Sequence, residues 1–171
     1  MKPLIVSAIV GILALSACAK PPFKDEFESD KPWVEQAAQL PHYPAPENLL
    51  EFNAGEASSN RYFVDTTSIG IGEDGVVRFA LVIKSSAGAS NVSYEGIRCA
   101  TNERKLYALG RDDKTWAQPR VAEWQQIDLV RQFYAQRELS RNIFCPYRQA
   151  PGSIEEAIQA LKRGIHRELS R

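Results

Sequence analysis

The sequence is poor in the residues that build metal and redox centres. It has two histidines, three cysteines and no Cys-x-x-Cys motif among its 171 residues, so we expect no zinc cluster, no dithiol oxidoreductase and no cofactor. It also has no excess of charge, because 21 Lys and Arg residues balance 21 Asp and Glu residues. That balance removes the main electrostatic argument for nucleic-acid binding. Ten glycines and ten prolines are too few for a collagen or a low-complexity chain.

The N-terminal apolar run is too short to span a bilayer as a helix. Residues 4–15 supply about twelve residues where roughly twenty are needed, which is typical of a signal peptide. Leu15-Ser16-Ala17-Cys18 then resembles the lipobox of bacterial lipoproteins, in which the cysteine is acylated. The alternative is a plain secretory signal with an incidental cysteine. Ala19 stands where an Asp would resemble an inner-membrane retention mark, so we expect a signal peptide over 1–17, lipidation of Cys18, an outer-membrane location and a flexible tether over 18–32.

The two remaining cysteines are predicted to pair. Export past the inner membrane places Cys99 and Cys145 where disulfides form and persist. Closing the loop between them contributes about 4 kcal/mol in the chain-entropy model. Two buried free thiols or a redox-active pair are the alternatives.

Residues 33–171 are predicted to form a single α+β domain. Residues 33–40 are compatible with a short helix, and prolines at 41, 44 and 46 then impose an extended path along the domain. Apolar residues alternate with a period of two over 76–84, and further strand patterns cover 61–66, 92–99 and 104–109. We therefore expect an antiparallel sheet of four or five strands, with two or three helices packed on one face and one disulfide.

Two helices are predicted in the C-terminal third. Residues 127–143 contain many helix formers, and Pro146 follows Cys145 just beyond them. Ser153 and Glu156 have the spacing of a capping box, and the apolar residues that follow share one helical face.

The motifs that suggest catalysis or cofactor binding have simpler explanations. Gly70-x-Gly72-x-x-Gly75 matches a dinucleotide fingerprint, but a strand follows the glycines where that site needs a helix, so a hairpin turn is the better interpretation. No serine or cysteine is placed beside a histidine and an acid in a recognisable pattern. We therefore expect a protein that is not an enzyme.

Aromatic and charged side chains suggest a binding surface instead. An aromatic groove for a glycan or a peptide is one interpretation, and ordinary core packing is the other; the residues are Trp33, Tyr94, Tyr107, Trp116, Trp124 and Phe133. A second candidate surface consists of Tyr94, Glu95, Arg98 and Arg104, which fall on neighbouring predicted strands. The alternative for these four is cross-strand pairing, such as Glu95 with Arg104, that only maintains register.

Several of these stretches resemble the CNP-one-like family, a group of uncharacterised proteobacterial lipoproteins. The resemblance is carried by Trp33-x-Glu35, Leu40-Pro41, Arg61-Tyr-Phe-Val-Asp65, Ser68-Ile69, Gly75-Val-Val-Arg78 and Tyr94-Glu-Gly-Ile-Arg-Cys99. It implies a domain of unknown function and transfers no catalytic residue. A fainter similarity to surface-adhesin E-like lipoproteins covers about fifty residues around Tyr62-x-Val64-Asp65.

Together these observations predict an outer-membrane-anchored lipoprotein that binds an unidentified protein or envelope partner, or maintains the envelope, from the periplasmic side. A surface-exposed adhesin-like lipoprotein that binds host or matrix ligands is the alternative. An envelope hydrolase is the third possibility.

Overall fold

The alternating apolar residues in the middle of the chain form one antiparallel sheet. The computed structural model describes residues 32–55, 59–166 and 169. The strands are β1 (Leu49–Phe52), β2 (Arg61–Ile71), β3 (Val76–Lys84), β4 (Ser90–Arg98), β5 (Glu103–Gly110), β6 (Trp116–Ala117) and β7 (Gln125–Gln126). They follow the order β1-β2-β3-β4-β5-β6, and β7 also pairs with β5. The α+β class with one antiparallel sheet is confirmed. The prediction of four or five strands is too low, since the described residues form seven. Two of these, β6 and β7, have two residues each, too few to show an alternating pattern in the sequence.

The glycine-rich stretch forms the turn between β2 and β3. Gly75 N–H donates to the Gly72 carbonyl and Gly72 N–H donates to the Val76 carbonyl, both at 3.0 Å. Gly75 adopts a φ of 72°, a left-handed conformation that glycine reaches without steric cost. The stretch is therefore a hairpin turn, as its sequence context predicts.

The C-terminal third is helical but is broken into short pieces. The predicted helix over 127–143 is instead a 3₁₀ turn (Ile127–Leu129), then α1 (Tyr134–Glu138), which continues as a π-helix (Leu139–Phe144). The last helix, α2 (Ile154–Arg163), begins where predicted, with Ser153 Oγ accepting from Glu156 N–H at 3.2 Å. Within the described ranges, no helix combines the length and apolarity needed to cross a membrane.

The hydrophobic core lies between these helices and one face of the sheet, which we call the helix face. Val77, Phe79 and Leu81 of β3 alternate onto this face and are fully buried. The helical segments contribute apolar residues from the other side, among them Ile127, Leu139, Ile143, Phe144, Ala157 and Leu161.

The disulfide ties the sheet to this helical layer. Cys99, directly after β4, is bonded to Cys145, directly after the π-helix, with an S–S distance of 2.08 Å. This is the pairing that the sequence predicts. Both cysteines belong to the core cluster.

The opposite face of the sheet is also covered, by residues 33–45, which we call the strap. The strap contains no regular secondary structure, so the predicted short helix over 33–40 is wrong. Its residues bond to the sheet and to loops instead of to each other, as shown below. Because the strap lies on this face, which we call the strap face, Val76, Arg78, Ala80 and Val82 are buried as well. The predicted signal peptide, the predicted lipidation site Cys18 and the predicted tether up to residue 31 lie outside the described residues.

Candidate binding site on the strap face of the sheet

Strand register separates the four residues predicted to share a surface. Glu95 pairs with Phe79, whose side chain is in the helix-face core, and Tyr94 pairs with Ala80, which belongs to the second cluster. Successive side chains of a strand point to opposite faces. Glu95 and Arg104 therefore lie on the helix face, whereas Tyr94 and Arg98 lie on the strap face. A common surface of these four residues is not formed.

Glu95 and Arg104 form a buried ion pair on the helix face. Glu95 is only 2% exposed, and it accepts two hydrogen bonds from the Arg104 guanidinium, both at 2.8 Å. Ser93 Oγ and Gln136 Nε2 also donate to it, at 2.6 and 2.8 Å. Burial opposes ionisation of the Glu95 carboxyl, but these donors, led by Arg104, hold its pKa below the usual value. Cross-strand pairing is the arrangement found here, reinforced by α1 through Gln136.

Arg98 and Tyr94 instead contact aromatic rings on the strap face. The Arg98 guanidinium lies 3.8 Å from the centroid of the Trp33 ring, a close cation–π contact between β4 and the start of the strap. The ring of Tyr94 lies 5.7 Å from that of Tyr107 and 6.2 Å from that of Trp116.

The predicted aromatic set is largely brought together on this face. Trp33 meets Trp124 edge-on at 5.8 Å, and Trp124 meets Tyr107 edge-on at 6.5 Å. With Tyr94 and Trp116, these rings form a connected cluster across β4, β5, β6, the strap and the loop after β6. Phe133 does not belong to it, because its ring lies 4.9 Å from the Arg104 guanidinium on the helix face.

Glu35 is the polar centre of the cluster, and sequence reasoning about surfaces did not select it. Its carboxylate accepts from Lys105 Nζ at 2.7 Å, from Tyr107 OH at 2.9 Å and from Trp124 Nε1 at 3.2 Å. Burial opposes ionisation, yet these three donors hold the pKa of Glu35 below its usual value. Burial raises the pKa of Tyr107, and the contact with Glu35 raises it further. The only sequence signal for Glu35 was its place in the Trp33-x-Glu35 motif of the family resemblance.

A second polar contact fastens the strap to the β2–β3 turn. Asp74 accepts from Arg78 Nη2 at 2.6 Å and from Gln36 N–H at 2.9 Å, and Arg78 in turn donates to the Gln36 carbonyl at 2.8 Å. The indole N–H of Trp33 donates to the Asp74 carbonyl at 2.8 Å. Burial opposes ionisation of Asp74, but Arg78 and the backbone donors keep its pKa below the usual value. A Cβ at Gly72 would meet the ends of the Asp74 and Arg78 side chains, so a larger residue there would have to displace this ion pair.

A groove of about 450 Å³ opens between the strap and the edge of the sheet. Its floor is polar, with Glu35, Lys105 and Tyr107, and Gln118 lies on its wall. Its rim is aliphatic and is supplied by the strap, from Ala37, Ala38 and the 53%-exposed Leu40. Because the charges of the floor are already paired with each other, the groove suits a neutral ligand that offers apolar surface and amide or hydroxyl groups.

The same segments of the chain carry a family match. A family model for the CNP1-like family, the family named above as CNP-one-like, matches residues 28–162, which include the strap, the sheet and most of α2. The chain belongs to the CNP1-like family. The CNP1-like match therefore covers every residue of the groove and of the polar contacts beneath it.

A curated relative gives a weaker match. The chain is 29% identical over 110 residues to "Cryptic neisserial protein 1" of Neisseria gonorrhoeae (strain ATCC 700825 / FA 1090). The alignment covers 54% of this chain and 53% of the relative, so the chain spans about half the length of the curated protein that it matches. No solved structure matches. The CNP1-like family is one of uncharacterised function, so the role of this chain has to be argued from its own geometry.

Proposed function

We propose that this CNP1-like chain is an outer-membrane-anchored lipoprotein whose folded domain is a non-enzymatic binding module facing the periplasm. The anchor is inferred from Leu15-Ser16-Ala17-Cys18, in which Cys18 is the acylated residue. The Cys99–Cys145 disulfide supports export, because such bonds persist in oxidising compartments.

The strap groove is the observation that carries the binding role. Its rim and part of its floor come from residues 35–40, the segment of the domain that follows the predicted tether in sequence. It combines an aliphatic rim with a few fixed polar groups on its floor, and ligand sites commonly combine apolar surface with a few placed polar groups.

The ionisation states of the groove favour binding over general acid–base catalysis. A catalytic acid or base works best with a pKa near the operating pH. The pKa of Glu35 is lowered and that of Tyr107 is raised, so both move away from neutrality. Glu35 therefore stays an acceptor and Tyr107 stays a donor, which fixes the groove in one hydrogen-bonding pattern.

The first experiment tests the anchor and the orientation. We expect palmitate to label the wild-type chain and not a Cys18→Ser variant, and we expect added protease to digest the domain only after the outer membrane is permeabilised. Digestion of the domain by protease added to intact cells would contradict the periplasmic orientation and favour the adhesin-like alternative. Equal labelling of the wild type and of Cys18→Ser would contradict the anchor.

The second experiment tests the groove in cells. A photo-cross-linking residue is placed at Gln118, on the groove wall, and at Leu129, which is 83% exposed and lies outside the groove. We expect a discrete cross-linked product from position 118 and not from 129. A Leu40→Ser substitution, which removes the exposed apolar rim, should weaken the product at 118. The same products from both positions would contradict a binding role for the groove.

A further inference from the structure

A second pocket lies beside the disulfide, remote in sequence from the strap. It has a volume of about 260 Å³ and is lined by Asn102, Asp128, Ser140, Arg141, Cys145, Tyr147 and Arg148. It is formed by three segments: the turn between β4 and β5, the 3₁₀ turn after β7, and the π-helix with the residues that follow it. The disulfide joins the first of these segments to the last, so one wall of the pocket is covalently fixed.

A chain of hydrogen bonds orients the polar floor. Ser140 Oγ donates to Asn102 Oδ1 at 2.6 Å, and Asn102 Nδ2 donates to Asp128 Oδ2 at 3.0 Å. The other oxygen of Asp128 accepts from Arg141 Nη2 at 2.8 Å. Ser140 and Asn102 are buried, so these hydrogen bonds hold Asp128 in place. Asp128 in turn holds the Arg141 guanidinium at the pocket. The remaining donors of Arg141 are not used by this contact.

Unfavourable backbone conformations are concentrated around the pocket. Among the described residues other than glycine, four have positive φ, and three of them, Asn102, Tyr147 and Arg148, line it. Consecutive left-handed residues as large as Tyr147 and Arg148 are uncommon and cost conformational energy. Their effect is to turn both side chains outward beside the disulfide. Tyr147 is 68% exposed.

The charges of the pocket are unbalanced in favour of an anion. Asp128 is the single lining carboxylate, and it is paired with Arg141 at 2.8 Å and with Arg137 at 3.8 Å. Arg148 is exposed and makes no side-chain hydrogen bond or ion pair within the described part of the chain. The lining therefore has two guanidinium groups, Arg141 and Arg148, against the single carboxylate of Asp128, which leaves one positive charge.

We propose that this pocket binds a phosphate monoester, held between Arg141 and Arg148, with the ring of Tyr147 against the group that carries the phosphate. Arginine presents paired donors that match phosphate oxygens. A phosphate monoester offers three acceptor oxygens to these two guanidinium groups, whereas a carboxylate offers two. The small volume admits a phosphate with one sugar-sized group, or the phosphate headgroup of a lipid whose chains lie outside.

The test measures ³¹P line broadening on the purified full chain in detergent micelles. The probes are inorganic phosphate, glucose 6-phosphate and short-chain phosphatidic acid, and acetate is the competing carboxylate. We expect all three phosphates to broaden and acetate to compete poorly. Tighter binding of glucose 6-phosphate, with a loss in Tyr147→Leu, assigns a sugar phosphate. Tighter binding of phosphatidic acid assigns a lipid headgroup, and both results support a phosphate monoester site.

The decisive variants are Arg148→Gln and its matched control Arg120→Gln. Both arginines are exposed, and each substitution removes one positive charge. Among residues 32–55, 59–166 and 169, Arg148 has no side-chain partner to lose, so we expect its replacement to leave the described fold intact. We expect Arg148→Gln to weaken phosphate binding by about tenfold or more, as the loss of a charge-assisted hydrogen bond does, and Arg120→Gln to leave it unchanged. Equal affinities in the two variants, or competition by acetate as strong as that of phosphate, would overturn the proposal.

Discussion

The two faces of the sheet are both covered, but by elements of different kinds. On the helix face, the π-helix and α2 bury a continuous apolar cluster that includes Phe79, Leu139 and Phe144. On the strap face, an extended segment without a fully buried residue is held by the Glu35–Lys105 ion pair, by indole and backbone hydrogen bonds and by an edge-on ring contact. The apolar cluster of that face contains only Ala80, Tyr94 and Ala108 as buried members.

This difference assigns different tasks to the two faces. Burial of large apolar side chains is the dominant favourable contribution to folding, so the helix face carries most of the stability. Polar contacts of half-exposed groups contribute less, because water competes for the same donors and acceptors. The strap is therefore expected to be the part that opens first, while the sheet beneath it stays folded.

The largest predicted effect compares two phenylalanines on opposite faces. Phe79→Ala empties a fully buried site on the helix face and should cost about 3–5 kcal/mol of unfolding free energy. Phe63, on the strap face, is 7% exposed and lies under the exposed cations of Arg61 and Lys84, which can close over the space, so Phe63→Ala should cost less. Urea denaturation of both variants measures the difference. Equal losses would mean that the two faces contribute equally.

The next effect compares two arginine–glutamate pairs with the same geometry. Arg104 and Glu95 are paired through two hydrogen bonds inside the protein, and Arg61 and Glu51 are paired in the same way on its surface. Arg104→Ala leaves a buried carboxylate without its partner and should cost about 3 kcal/mol. Arg61→Ala should cause no measurable change. A loss from Arg104→Ala as small as that from Arg61→Ala would show that water reaches Glu95 readily.

A smaller effect tests whether the strap opens locally. Trp33→Ala removes the cation–π contact with Arg98 and the hydrogen bond to the Asp74 carbonyl. At a partly exposed site, the two together are expected to contribute about 1 kcal/mol to the free energy of strap opening. We expect proteolysis within the strap to become about fivefold faster, while the main urea transition moves little. Val34→Ala, at an exposed position beside Trp33, is the control and should leave the cleavage rate unchanged. A fall in global stability equal to the strap effect would mean that strap and core unfold together.

The smallest effect is the acid sensitivity of the strap. Because the pKa of Glu35 is lower in the folded chain than its usual value of 4.5, its ionised form stabilises the strap fully above that pH. This contribution is lost as the pH falls below 4.5 toward the folded-state pKa. Strap proteolysis by an acid-active protease should therefore accelerate over that range in the wild type, and less steeply in Glu35→Gln. Parallel pH profiles would contradict the role of Glu35 in holding the strap.

The fold was predictable where local chemistry decides structure. The alternation over β3, the turn at Gly75 and the Ser153 cap each depend on residues close in sequence, and each forms where expected. The prediction of one helix over 127–143 was only partly correct. This segment is held at both ends, by the pairing of β7 with β5 just before it and by the disulfide at Cys145 just after it. Tertiary packing there accommodates a short α-helix and a π-helix in place of one continuous helix.

The candidate site was harder to predict, because it joins residues far apart in sequence. The partners of Glu35 lie 70 to 89 residues away, so no local pattern connects Glu35 with Lys105, Tyr107 and Trp124. The register shift between Tyr94 and Glu95 in the β4–β5 pairing also escaped prediction. Assigning Tyr94 and Glu95 to one surface overlooked the alternation of adjacent side chains between faces.

The sequence by itself determined the family, the four longest strands (β2–β5), the last helix and the pairing of Cys99 with Cys145. These properties follow from residue identity, period and composition, which act over short distances along the chain. Only the tertiary structure decided that residues 33–45 are a strap without secondary structure, and that Glu95 is buried while Glu35 shapes a groove. The reason is physical: whether a charged side chain is enclosed or accessible depends on which distant segments supply its partners, and those segments meet only when the sheet assembles.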